Sequence, residues 1–257
     1  MRKSLVRRGA AAALAVFTGL GAVALASSPA QAADVKLAGV TLSSSTVVLD
    51  GDAGCGNRLK VTFKVYNPAS GDEEFLSPSV NADVVAANGD IVDILTPSQS
   101  SRSGNYVYYT DNVFLCGGLH APGRYQVQTE LTWWDENYDD HVIERSDSFS
   151  LQRPTSLTYN ATPEPVKKGA KLTHSGQLKI DPVGYGAKKG AKGVTLKFYF
   201  KANGSKTYVY KGKTVTTANG KYNKKIKATK SGIWKVVYAG SSTKQPQTKY
   251  DTVKVKR

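Results

Sequence analysis

Read for the alternation of apolar and polar positions, the chain is strand-forming along most of its length. Leu59-Lys60-Val61-Thr62-Phe63-Lys64-Val65 alternates without a fault and stops at Asn67-Pro68, the pattern of a half-buried β-strand. Similar runs follow at 90–95, 106–115, 125–133 and 142–151, each bounded by Gly, Pro, Asn, Asp or Ser clusters that favour turns. Arg153-Pro154-Thr155 interrupts the pattern. Proline removes a backbone donor, so this tripeptide is expected to mark the joint between two strand-rich halves, with no long linker. The alternation resumes at 156–161, 171–179, 194–201, 208–216, 222–227, 233–238 and 251–256. Seven short strands in about a hundred residues predict an immunoglobulin-like antiparallel β-sandwich. No window sustains apolar spacing of three and four, which argues against a helical protein.

The halves share a short correspondence. Pro122-Gly123-Arg124-Tyr125-Gln126-Val127 and Ser231-Gly232-Ile233-Trp234-Lys235-Val236 each set a turn glycine two residues before an aromatic that opens an alternating strand. At such a corner the ring packs inward while its polar tip reaches backbone upstream, so Tyr125 and Trp234 are expected to be core anchors.

With 257 residues, 40% of them apolar and 21% charged, the chain can bury real cores. Its start reads as an address: Arg2, Lys3, Arg7 and Arg8, then the uncharged run Gly9 to Ala26, then Ala30-Gln31-Ala32 predict a signal peptide over 1–32, and a mature chain from Ala33 with no transmembrane segment. The final residues, Val253-Lys254-Val255-Lys256-Arg257, read as a charged strand and not as an apolar sorting tail. In an exported chain the two cysteines, Cys55 and Cys116, 61 residues apart, are expected to form a disulfide inside the first domain. On the chain-entropy relation such a loop stabilises by roughly 4 kcal/mol.

Charge separates the halves. Residues 33–153 hold 8 Lys+Arg against 17 Asp+Glu, a net −9, whereas residues 154–257 hold 22 Lys and one Arg against Glu164, Asp181 and Asp251, a net +20. The expected organisation is all-β: an acidic disulfide-bridged sandwich (33–153) followed by a basic Lys/Tyr-rich immunoglobulin-like sandwich (154–257).

Through Thr158 to Pro165, Thr216-Thr217-Ala218-Asn219-Gly220-Lys221-Tyr222 and Gly232 to Gly240, residues 154–257 resemble the immunoglobulin-like repeat of secreted bacterial surface and cell-wall proteins. The resemblance implies a spacer, an adhesive module or a wall-associated domain, and supplies no catalytic residues.

Candidate chemistry follows the charge. Lys197, Tyr199 and Lys201 share the polar phase of one strand; Lys206, Tyr208, Tyr210, Lys211 and Lys213 follow, and Lys224, Lys225 and Lys227 crowd the next. Ammonium groups among tyrosine rings suit an anionic extracellular polymer or a cell-wall surface. The same lysines equally serve to keep a sheet soluble and to blunt its edges. Lysine neutralises without the bidentate fork of arginine, so sequence-specific nucleic-acid reading is not expected. In the first half, Asp135, Asp139 and Asp140 beside Asn137, with a second acidic turn at Asp50-Gly51-Asp52, are weak calcium candidates that fit no EF-hand spacing and read equally as solvated turns. Trp133 and Trp134 must face opposite ways in a strand, Trp133 inward and Trp134 outward, leaving Trp134 and Tyr138 for partner contact. His120, His141 and His174 fall in no metal pair, and no Gly-x-Ser-x-Gly elbow occurs, so neither catalysis nor a cofactor is expected.

The function expected is therefore that of a secreted, non-enzymatic binding protein held on an acidic polymer or the envelope, the first domain open to a protein partner. Two alternatives accompany it: an adhesive protein self-associating through its opposite charges, and a secreted enzyme inhibitor presenting the loop Ala69 to Pro78.

Overall fold

A computed structural model of the chain describes residues 35–68, 77–135, 137–182 and 186–257. The expected signal segment, most of the Ala69 to Pro78 loop (69–76) and Glu136 lie outside the described residues.

Alternation turns directly into layers. In the first half the strands are β1 (Lys36–Leu42), β2 (Thr46–Val48), β3 (Cys55–Tyr66), β4 (Ser79–Val85), β5 (Ile91–Leu95), β6 (Ser98–Ser103), β7 (Tyr106–Cys116), β8 (Gly123–Trp134) and β9 (Asp140–Gln152). They form two sheets, β1-β3-β7-β6 and β2-β9-β8-β4-β5. Leu59, Val61, Phe63 and Val65 of β3 face Tyr125, Val127 and Leu131 of β8 in one buried cluster with Val84, Leu115 and Phe149. The predicted bridge joins Cys55 to Cys116, which oppose each other in the β3–β7 ladder, so it staples two neighbouring strands within one sheet.

The second half comprises β10 (Thr155–Leu157), β11 (Asn160–Thr162), β12 (Val166–Lys167), β13 (Lys171–Ile180), β14 (Lys189–Gly190), β15 (Thr195–Ala202), β16 (Val209–Val215), β17 (Lys221–Lys227), β18 (Gly232–Tyr238), β19 (Gln247–Val253) and β20 (Val255–Lys256). One sheet runs β16-β15-β18-β19. In the other, β13 pairs with β10, β11, β14 and β17, while β12 and β20 form a separate two-stranded sheet. Phe198, Leu196 and Val236 pack against Leu178 and Tyr222 at one end; Phe200, Trp234 and Leu172 fill the other. The molecule is all-β, two immunoglobulin-like sandwiches in tandem, each an antiparallel pair of sheets whose last strand meets an early strand in parallel, β2 with β9 and β12 with β20.

The two corner aromatics behave differently. The Tyr125 hydroxyl donates to Ala121 O at 2.7 Å, the upstream bond expected. Trp234 is buried against His174 and Phe200, with ring centroids 4.3 and 4.8 Å away, but its indole nitrogen meets no acceptor among the described residues.

The sandwiches pack as one unit over residues 33–257, and the joint is a set of hydrogen bonds rather than a bare proline kink. Arg153 is 1% exposed. Its guanidinium donates to Leu49 O at 2.9 Å, Gly117 O at 2.7 Å and His120 O at 2.8 Å in the first sandwich. Its backbone exchanges bonds with Thr243 and Gln245 in the second. In the reverse direction the buried Asp181 accepts the Gly51 N–H, and Asp52 accepts the Gly186 N–H at 3.0 Å. Gly117 is sterically required there: a Cβ would stand 2.1 Å from Asp50 O and 2.5 Å from Ala53 O.

Candidate functional site

The outer face of β16-β15-β18-β19 gathers tyrosines and lysines, because period two sends every second residue of four adjacent strands outward. Register sets Tyr210, Tyr199, Lys235 and Tyr250 in one row, with Lys213, Lys197, Val237 and Thr248 in the next. Tyr199 and Tyr210 meet edge to face at 5.7 Å, and Tyr208 and Tyr250 lie 6.3 Å apart. The Lys235 ammonium sits over Tyr199 at 4.9 Å and Tyr208 at 4.2 Å, and Lys201 sits over Tyr208 at 5.2 Å. Each such contact contributes about 0.5–1 kcal/mol at an exposed site, enough to hold a long lysine stem in place. Desolvation raises the Tyr208 phenol above its ordinary pKa, and neighbouring Tyr250 adds to the rise. None of the second sandwich's three acids joins the face: Asp181 serves the joint, Asp251 accepts the Ala161 N–H at 2.7 Å, and Glu164 lies between β11 and β12.

Of the lysines and tyrosines singled out in the sequence, Lys197, Tyr199, Lys201, Tyr208, Tyr210 and Lys213 come together here. Lys206 lies exposed in the loop before β16, and Lys211 is the extra residue of a β-bulge opposite Phe198 and Tyr199. Lys224, Lys225 and Lys227 lie elsewhere, and the expectation that they join the same surface is corrected in that respect. Their strand, β17, pairs with β13 in the opposite sheet, so Lys225 and Lys227 face away from this surface. Lys224 falls on the inner phase opposite His174, where a Cβ at Gly212 would lie 3.7 Å from its Cε. Period two specifies the face of a strand and not the sheet it joins. Lys235 and Tyr250, central here, were not singled out, although Lys235 stands on the polar phase of the alternating run 233–238.

At the β8–β9 tip, Trp134 is 60% and Tyr138 70% exposed. Trp133 packs partly buried against the core and stacks on His141 at 5.0 Å. Asp135 is committed to its own turn: Oδ1 accepts the Asn137 and Asp139 N–H groups at 2.9 and 3.0 Å, and Oδ2 pairs with His141 Nε2 at 3.0 Å. The His141 hydrogen bond, followed by the backbone donors, lowers the Asp135 pKa. The calcium candidates Asp135, Asp139 and Asp140 therefore form no metal-holding group among the described residues. The acidic turn at Asp50 to Asp52 serves the joint instead. The other histidines are engaged as well, His120 Nδ1 accepting the Cys116 N–H at 2.7 Å and the buried His174 bonding Tyr159 at 2.8 Å.

The outer face of the first sandwich's five-stranded sheet carries the acids Asp83, Glu130 and Glu144, with Arg124 toward the far end of β8 and Arg145 at the rim of the same depression. Asn81, Glu130 and Glu144 form one row and Asp83, Gln128 and Ser146 the next, lining a shallow depression of about 680 Å³. Among the described residues the ion pairs are His141–Asp135 and Arg145–Asp147, which leaves Asp83, Glu130 and Glu144 without a cation.

No family model matches the chain, and no curated protein matches it. Solved structures do. A Salmonella alpha-2-macroglobulin reacted with methylamine is 12% identical, covering 84% of this chain and 14% of its own, with a TM-score of 0.36. The D00-D0 domain of intimin is 13% identical over 83% of this chain and 98% of its own, at 0.29. The Escherichia coli adhesin FdeC is 16% identical over 85% and 63%, at 0.29. At these scores the fold rests on the sheet topology itself.

Proposed function

We propose that this protein is a secreted, non-enzymatic binding module that associates with the cell envelope or another anionic extracellular polymer through the outer face of β16-β15-β18-β19. The observation that carries this reading is the arrangement of Tyr199, Tyr208, Tyr210 and Tyr250 around Lys201 and Lys235 on an acid-free face, in a half whose net charge is +20. Ammonium groups meet phosphate or carboxylate, while ring faces lie against sugar or lipid headgroup carbons. The intrachain disulfide and the signal-like first 32 residues support action outside the cytoplasm.

The test is retention of the mature chain on purified wall fragments and on an anionic matrix through a salt series. Replacing Lys197, Lys213 and Lys235 by Gln removes three charge contacts of about 0.5 kcal/mol each, so binding should weaken roughly tenfold near 0.15 M salt. Unchanged elution of the triple variant would overturn the reading.

A further inference from the structure

We propose that this protein also associates head to tail with a second copy of itself, the acidic outer face of β9-β8-β4-β5 in one molecule docking on the basic outer face of β16-β15-β18-β19 in the next. This uses the basic face described above as a docking surface but gives it a protein occupant.

The two faces occupy corresponding places in the two sandwiches. Each sheet runs from a late strand (β9, β19) to the strand bearing the corner aromatic (β8 with Tyr125, β18 with Trp234), then to β4 or β15, and then to β5 or β16. On this shared framework the charges are opposite. Glu130 stands directly across from Glu144, with Asp83 in the adjoining row. Lys197 stands directly across from Lys213, with Lys235 in the adjoining row. Like charges paired across strands destabilise a sheet, and among the described residues neither set has an opposite partner in its own molecule. Each face thus carries a repulsion that the other would relieve.

Apolar groups accompany both charge sets. Ile94, Val142 and Trp134 are exposed on the acidic side, and Tyr210, Val215 and Tyr250 on the basic side. A four-stranded face of seven-residue strands covers roughly 450 Å², below the ~800 Å² per partner of a standard interface. The contact therefore belongs among weak, salt-sensitive ones, governed by charge complementarity. Because the docking patches differ, the contact is heterologous and propagates from copy to copy unless a ring closes.

Sedimentation of the mature chain over about a hundredfold concentration range tests this. At low salt the weight-average mass should rise with concentration, and at about 0.5 M salt it should fall to that of the monomer. Asp83→Asn with Glu130→Gln and Glu144→Gln removes three acids from one face; Lys197→Gln with Lys213→Gln and Lys235→Gln removes three lysines from the other, Lys201 remaining. Each triple variant should remain monomeric alone, and an equimolar mixture should form a one-to-one dimer and nothing larger, since one intact interface survives. A monomeric native chain at low salt, association by either variant alone, or a mixture that stays monomeric would overturn the proposal. The acidic-face variant should keep its retention on an anionic matrix while the lysine variant is retained more weakly, so failure of self-association and failure of polymer binding are read separately.

Discussion

The Arg153 guanidinium donates to Gly117 O at 2.7 Å, and Gly117 directly follows Cys116 of the disulfide. The bridge thus anchors the loop that receives the buried arginine of the joint, and local order in the first sandwich is coupled to the placement of the second. Arg153→Met removes three charge-assisted donations and leaves the carbonyls of Leu49, Gly117 and His120 facing an apolar side chain. The expected loss is about 2–4 kcal/mol, read as a lower midpoint in denaturant unfolding. Arg153→Lys should not restore it, because an ammonium cannot spread its donors as the planar fork does.

Replacing Cys55 and Cys116 together by Ala should cost roughly 4 kcal/mol, the loop-closure value for 61 residues. Limited proteolysis should show new cleavage near 117–121 before any elsewhere, since that loop loses its anchor. Unchanged stability would mean that the β3–β7 ladder alone holds the loop.

His174 makes stability pH-dependent. It is wholly buried, and burial lowers its pKa to about 4 from the ordinary 6.5. The fold thus holds it neutral, while the unfolded chain takes up a proton below about 6.5. Its contribution is complete above that pH, declines as pH falls toward 4, and is exhausted below. The span is on the order of 3 kcal/mol. Urea unfolding at pH 7.5 and pH 4 should show the slope in the native chain, and His174→Phe should remove that share while leaving the carboxylate contribution.

Trp134→Ala should change the melting temperature little and weaken any partner binding at the β8–β9 tip. Trp133→Ala, which strips a ring from the core edge and from His141, should cost about 2–3 kcal/mol. Equal losses from the two would contradict the alternation of that strand.

Legibility in the sequence followed burial. β3, β7, β8, β13, β15, β17 and β18 were readable because one phase of each is apolar and inward. β6, Ser-Gln-Ser-Ser-Arg-Ser, is exposed at every position and leaves no apolar signature; β1, β2, β12 and β14 were missed as well, and β4 was missed although its Val80, Ala82 and Val84 form a buried apolar phase. β19 begins at Gln247 rather than Asp251, since an edge strand with polar residues on both phases announces no start. The tyrosines of the basic face were visible as a composition, but Lys235 at its centre and the departure of Lys225 and Lys227 depend on which strands pair, a long-range outcome that spacing does not encode. The same holds for Arg153, whose three acceptors lie 33 to 104 residues away.

The parallel pairing of β2 with β9 and of β12 with β20 has a mechanical consequence. Val166 donates to Lys254 O and Lys168 to Lys256 O, while Leu49 donates to Gln152 O. Each ladder joins an early and a late segment of its sandwich running in the same direction. Tension drawn along the backbone loads such bonds in shear, so they must rupture together rather than peel apart singly.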